Sequence, residues 1–258
     1  MRNEQKDKVR ERFGASADAY ANSEVHAKGE SLSLLVDLVK PQKGWLALDV
    51  GTGAGHTAMA IAPHVARMIA TDITAEMLLK TSELAKARGI TNLNVEIADA
   101  ESLPFDGASF DLVTCRLALH HFSDPQAAIK EFSRALKPGG ILGFVDNIVV
   151  EDEEAAGFYN AFEKIRDPSH HRVFSLTQLQ SMMKAAGLKV EISRQLKKEV
   201  EFQDWADRQH VSDADKIKLL EMISRLPSSL RSMLTPRNAD GTLYFSLHEA
   251  VIVAKKAR

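Results

Sequence analysis

Cysteine is nearly missing from this chain: Cys115 is the single one in 258 residues. A lone thiol excludes an internal disulfide and the multi-cysteine frameworks of structural zinc sites, and its apolar neighbours mark it as a buried structural thiol. Charge of one sign is equally scarce, with 33 Lys and Arg against 35 Asp and Glu and a formal net charge of −2. That balance sets up no global field for nucleic acid or an anionic membrane, so neither is expected as a partner. No apolar run approaches the roughly 20 residues of a membrane span. The N-terminus is charged rather than signal-like, and the expected location is cytoplasmic. What the chain does have is 45% apolar residues and a length suited to one α/β domain with an appendage.

The stretch that organises the rest is Trp45-Leu46-Ala47-Leu48-Asp49-Val50-Gly51-Thr52-Gly53-Ala54-Gly55, an apolar strand running into a turn with glycine at alternate positions. Glycine lets a backbone take dihedrals closed to other residues and approach a ligand with no side chain between. A dinucleotide fingerprint would need its third glycine at position 56, where this chain has His56. The acid at Asp49, two residues ahead of the first glycine, suits a cationic ligand better than a pyrophosphate, which it would repel. An NAD(P)-dependent oxidoreductase therefore fits the turn less well.

Strand and helix patterns then alternate with short connections from 45 to 147, which implies a parallel sheet with its binding crevice at the carboxyl ends of the strands. Residues 65 to 71 read as a strand ending at Asp72-Ile73. Asp72 stands 21 residues beyond Gly51, where α/β nucleotide folds place a carboxylate for the ribose hydroxyls. Thr74 caps a helix stopped near Gly89, with Met77 either packing on an adenine face or simply in the core. A third strand, 94 to 98, ends at Asp99-Ala100, and a fourth, 109 to 115, runs into Arg116. Asp124-Pro125 opens a helix that ends in Leu136-Lys137-Pro138-Gly139-Gly140, before a strand over 141 to 145. The adjacent His120 and His121 lack a third ligand at zinc-like spacing, so no metal site is expected; one of them holds the loop by hydrogen bonding or, alternatively, faces the substrate.

The second half is looser. Ser175 and Gln178 make a capping box for a helix closed by Gly187. Residues 188 to 196 and 244 to 254 alternate as strands. Between them, 202 to 234 reads as two or three helices around Trp205, Ile217, Leu220, Ile223 and Leu230. The N-terminal 1–44 reads as cap helices ahead of a main domain at 45–258.

Four motifs in order give this pattern a family likeness: Asp49-x-Gly51-x-Gly53-x-Gly55, the FDxVxxxxxLHH stretch from Phe110 to His121, the LKPGG turn, and Asp167-Pro168-x-His170-x-Arg172 ahead of a helix. Together they resemble the class I S-adenosylmethionine-dependent methyltransferases, and within them the ubiquinone/menaquinone-biosynthesis type. The resemblance implies an α/β Rossmann-like fold, a seven-stranded and mostly parallel sheet with an antiparallel edge hairpin, helices on both faces, and helical lid elements at both ends, 202–234 being the substrate lid. It implies S-adenosylmethionine as cofactor, S-adenosylhomocysteine as product and a small-molecule acceptor methylated on oxygen or carbon, by a monomer or homodimer. Cofactor contacts carried over are Asp49, Gly51, Thr52, Gly53 and Gly55 at the turn, Asp72, Ile73 and Met77 after the second strand, and Asp99 and Ala100 at the adenine. Arg116 and Tyr20 fall at the methionine end, Tyr20 being equally readable as a packing aromatic. His170 as a base and Arg172 as an anion anchor are the catalytic candidates, unless that loop is merely pinned by polar contacts. A non-catalytic protein that keeps only the cofactor pocket would share the same motifs.

Overall fold

The computed structural model describes residues 2–21 and 29–257, excepting a few side chains of the first helix. The chain begins with two helices, α1 (Arg2–Ala21) and α2 (Glu30–Val39). It then alternates β1 (Leu46–Val50), α3 (His56–Ile61), β2 (Arg67–Asp72), α4 (Ala75–Ala87), β3 (Leu93–Ile97), β4 (Phe110–Arg116), α5 (Pro125–Ala135) and β5 (Leu136–Val149). After α6 (Glu153–Arg166) come a short strand β6 (Phe174–Ser175), α7 (Leu176–Ala185) and the long strand β7 (Leu188–Glu201). Three small helices, α8 (Phe202–Asp207), α9 (Asp213–Ser224) and α10 (Ser228–Leu234), precede β8 (Arg237–Ala239) and β9 (Thr242–Lys256).

The main sheet runs β3-β2-β1-β4-β5-β9-β7, with β6 and β8 pairing beside it. From β3 to β5 every pairing is parallel, while β9 lies antiparallel to both β5 and β7. The expected parallel sheet with an antiparallel edge hairpin is therefore present, and the order reverses between β1 and β4. That reversal opens a crevice at the carboxyl ends of the two central strands. Apolar side chains bury on both faces of β1 and β4, as strands covered on two sides require.

Of the stretch 1–44, α2 belongs to the sheet's own core. Leu35 and Val39 pack so closely on β5 that a Cβ at Gly143 would stand 2.7 Å from Val39 and 3.1 Å from Leu35. By contrast α1 crosses the mouth of the crevice, where Lys6, Val9 and Phe13 face a cavity.

The strands depart from the sequence expectation at their ends. Pairing of β7 continues to Glu201↔Tyr244, so the edge hairpin extends five residues past the expected end at 196. Its far end joins the helical insert in a second apolar core, in which Trp205 stacks on Phe162 and meets Phe245 edge-on. In α9 the buried side chains are Leu219 and Ile223, whereas the expected core residues Ile217 and Leu220 are exposed at 59% and 42%. A four-residue spacing selects one face of a helix, and tertiary packing chose the neighbouring face. Among the described residues no helix is long and apolar enough to cross a membrane.

Candidate active site

The crevice opens into a cavity of about 810 Å³ that reaches from the glycine turn to the helical insert. Its floor is the turn after β1. Gly51, Gly53 and Gly55 all take positive φ, of 65°, 54° and 80°. At Gly53 a Cβ would meet nothing within 4 Å and would point into open space, which leaves the backbone bare to a ligand. At Gly55 it would strike Thr81 at 2.5 Å, so that glycine serves packing beneath the turn.

Asp49 holds the turn from below. Its carboxylate accepts hydrogen bonds from Thr52 Oγ1 at 2.6 Å and Thr114 Oγ1 at 2.7 Å. Burial pushes its pKa up to about 6, against the pull of those two hydroxyls and of Arg116. Asp72, at the end of β2, accepts from the Gly53 N–H and the Thr74 N–H, both at 2.9 Å. A carboxylate offers about four acceptor positions, so about two remain for a ligand. Burial raises the Asp72 pKa against those backbone bonds.

Further along, Asp99 accepts from the Glu101 N–H and from Lys6, whose Nζ lies 2.6 Å from Asp99 and 2.9 Å from Glu101. Helix α1 is thus pinned across this end of the cavity by an ion pair. Ile73 and Ala100 line the wall on either side. At the other end Arg116 donates from Nε to Thr57 Oγ1 at 3.0 Å.

Of the residues expected at the cofactor, Gly51, Thr52, Gly53, Asp72, Ile73, Asp99, Ala100 and Arg116 all border this one cavity. Asp49 and Gly55 lie under the turn, and Met77 is buried in the core at 1% exposure, none of them at the cavity wall. The Tyr20 side chain lies outside the described residues.

A second feature involves one of the paired histidines, outside the residues carried over from the family likeness. His120, on the turn after β4, borders the cavity, and its Nδ1 lies 2.5 Å from Asp146 Oδ1. Asp146 sits in β5 at 2% exposure, accepting also from the His120 and Asn147 backbone N–H groups. Burial works against a charged imidazole here, but the Asp146 carboxylate outweighs it and the His120 pKa is raised. With Nδ1–H held by the carboxylate, Nε2 is left as the basic nitrogen. The neighbouring His121 also borders the cavity, but its Nδ1 donates to the Ser169 carbonyl, and burial together with His120 pushes its pKa down to about 4. A legible signal did exist: an acid inside the apolar run Ile141 to Val150, on the strand that pairs with β4.

Comparison with known proteins bears on what this arrangement does. Residues 48–144 match the family model described as a methyltransferase domain. Over 196 residues, covering 76% of this chain and 78% of the other, the sequence is 38% identical to the uncharacterized methyltransferase YcgJ of Bacillus subtilis. The chain belongs to the class I S-adenosylmethionine-dependent methyltransferases. The crystal structure of YcgJ superimposes on the present methyltransferase with a TM-score of 0.84 at 33% identity, covering 88% of this chain and 98% of that one. A Bacillus halodurans protein solved as a candidate methyltransferase gives 0.85 at 33% identity over 89% of this chain and all of that one. A shorter stretch of 102 residues, 40% of this chain and 43% of the other, is 37% identical to a ubiquinone biosynthesis O-methyltransferase of Coxiella burnetii.

Two residues expected to act on the methyltransferase's acceptor are placed elsewhere. His170 is 2% exposed and not at the cavity; its Nε2 bonds to Asn160 Oδ1 at 2.8 Å. Burial and the neighbouring His120 and His121 push its pKa down to about 2, too low for a base at neutral pH. Arg172 points away, over the Phe174 ring at 5.1 Å and 3.8 Å from Glu153. What this loop does is hold His120: the backbone N–H groups of His171 and Arg172 both donate to the His120 carbonyl, at 2.8 and 3.0 Å. The loop is pinned by polar contacts, and it holds His120 at the cavity wall. Among the described residues no group of His, Cys, Asp or Glu could hold a metal ion.

Proposed function

We propose that the protein transfers the methyl group of S-adenosylmethionine to an oxygen or carbon of a small-molecule acceptor. The observation that carries this reading is the His120–Asp146 pair at the cavity wall. A thiol or phenolate can be methylated without help, but a weakly acidic hydroxyl or carbon acid needs a base at the reacting atom. When bound, the cofactor supplies an electrophilic methyl on a sulfonium centre.

The rest is done by this chain's residues. The bare backbone at Gly53 and the free acceptor positions of Asp72 suit the ribose and the adjoining chain of the cofactor, and Asp99 with Ala100 and Ile73 suits adenine. Arg116 faces the methionine end. His120 takes the acceptor's proton at Nε2 as the oxygen or carbon bonds to the methyl; Asp146 stabilises the imidazolium that results. Helix α1 and the insert 202–234 act as lids, positioning the acceptor and excluding water. A cytoplasmic monomer or homodimer fits this role.

The test is calorimetric titration with S-adenosylmethionine, S-adenosylhomocysteine and NADH side by side. Micromolar binding of the first two without NADH is the expected result, followed by methyl transfer from a screen of phenolic and other small hydroxyl and carbon acids. Binding of NADH alone would overturn the reading. Cofactor binding without turnover on any acceptor class would favour a pocket that binds without catalysis.

A further inference from the structure

The end of the cavity beyond Arg116 is built by the edge hairpin and the insert, and it carries a charge that its own surroundings leave unmatched. Leu196, Lys198 and Val200 alternate along one face of β7 and border the cavity, with Leu247 directly opposite Lys198 and Glu249 directly opposite Leu196 on β9. Trp205 closes the apolar side.

Two arginines at this end have partners, while Lys197, next in the strand, borders the cavity as an exposed side chain. Arg208 is 3.1 Å from Asp204, and Arg166 is 3.4 Å from Glu163 while its guanidinium lies over the Trp205 ring. Lys198 is half-buried, yet among the described residues it makes no hydrogen bond or ion pair. Burial works against its charge, and so do Arg208 and Arg116. Glu249 and Asp204 offset this only from beyond contact, and the Lys198 pKa is lowered. An amine held among other cations on an apolar wall costs stability unless something anionic completes it.

Resting on the methyl-transfer reading of the same cavity, we infer that the acceptor is a small carboxylic acid with an apolar body, its carboxylate received by Lys198 against the wall of Leu196, Val200 and Leu247. The nearby Glu249 decides for a single negative charge: a dianion such as a phosphate monoester would bring a second charge against that carboxylate. The hydroxyl or carbon acid that takes the methyl lies elsewhere on the same molecule, at His120.

The inference is tested on the full chain saturated with S-adenosylhomocysteine, by calorimetry with 4-hydroxybenzoate, 4-hydroxyphenylacetate and octanoate, each beside its primary amide. At least one acid is expected to bind about fivefold more tightly than its amide, the effect of one half-exposed charge pair. Lys198→Ala should erase that preference, Lys198→Arg should keep it, and the affinity for S-adenosylhomocysteine should stay the same in both variants. Equal binding of acid and amide, no binding of any acid, or a preference that survives Lys198→Ala would overturn the inference while leaving methyl transfer intact. Failure of the wild-type protein to bind S-adenosylhomocysteine at all would remove the methyl-transfer reading and this inference together.

Discussion

Replacing Asp72 by alanine tests the cofactor crevice most directly. Its carboxylate already accepts two backbone N–H groups, from Gly53 and Thr74, and presents about two further acceptor positions to the cavity. Two ribose hydroxyls fill them in the proposed complex. A hydrogen bond to a charged group contributes roughly 1.5–3 kcal/mol, less where water can take its place. Because Asp72 is only partly shielded by the protein, the expected loss for Asp72→Ala is about 1–3 kcal/mol, or about 5- to 150-fold in affinity for S-adenosylhomocysteine. Asp72→Ala also frees the Gly53 N–H and loosens the turn, so Asp72→Asn belongs beside it: one oxygen still accepts, and a smaller loss of about 1 kcal/mol is expected. The assay is calorimetry at fixed salt, with thermal unfolding of each variant to show that the fold persists. Since burial raises the Asp72 pKa, wild-type affinity should weaken as pH falls through that value, and Asp72→Asn should lack this dependence. An alanine variant that binds within about twofold of wild type would refute the ribose assignment.

Gly53→Val should fold and yet fail to bind S-adenosylhomocysteine, because the side chain projects into the space reserved for the ligand; normal binding by this variant would contradict the bare-backbone model. Asp49 gives a pH signature in stability. Its pKa rises from 3.8 to about 6 on folding, so the folded state holds its proton more tightly, and stability present below pH 3.8 is lost as pH rises through 6. Between pH 4.5 and 7.5 the wild type should lose about 2 kcal/mol relative to Asp49→Asn in denaturant unfolding. Parallel curves for the two proteins would show that Asp49 does not titrate this way. Once an acceptor is found, His120→Gln should lower kcat by about 10²- to 10⁴-fold with little change in cofactor affinity. Activity in the wild type should fall on the acid side, with a midpoint above 6.5, and Asp146→Asn should move that midpoint down by removing the carboxylate that raises it. A pH profile unmoved by Asp146→Asn would count against His120 as the base.

Much of this protein was legible in one dimension. The glycine turn and the acids at the ends of β2 and β3 announce themselves because strand-to-helix turns and strand ends demand particular residues at fixed spacing, whereas the LKPGG stretch, expected as a turn before a strand at 141–145, is already part of β5 because Leu136 pairs with Phe110. Alternation of strand and helix fixed a parallel sheet, and the sheet fixed where its crevice lies. Four ordered motifs were then enough for the family.

Tertiary structure alone decided which polar side chains face the cavity. His170 and Arg172 have suitable chemistry, but Asn160 draws His170 inward and Arg172 turns to Phe174 and Glu153. His120 acquires its partner from Asp146, 26 residues away on the neighbouring strand. Lys198 looks like any surface lysine until β7 and the insert close a cavity against it. Spacing along a chain can say that a side chain lies on one face of a strand or helix. Whether that face meets solvent, a core or a cavity depends on how separate elements pack, and that is settled only once the whole chain has folded.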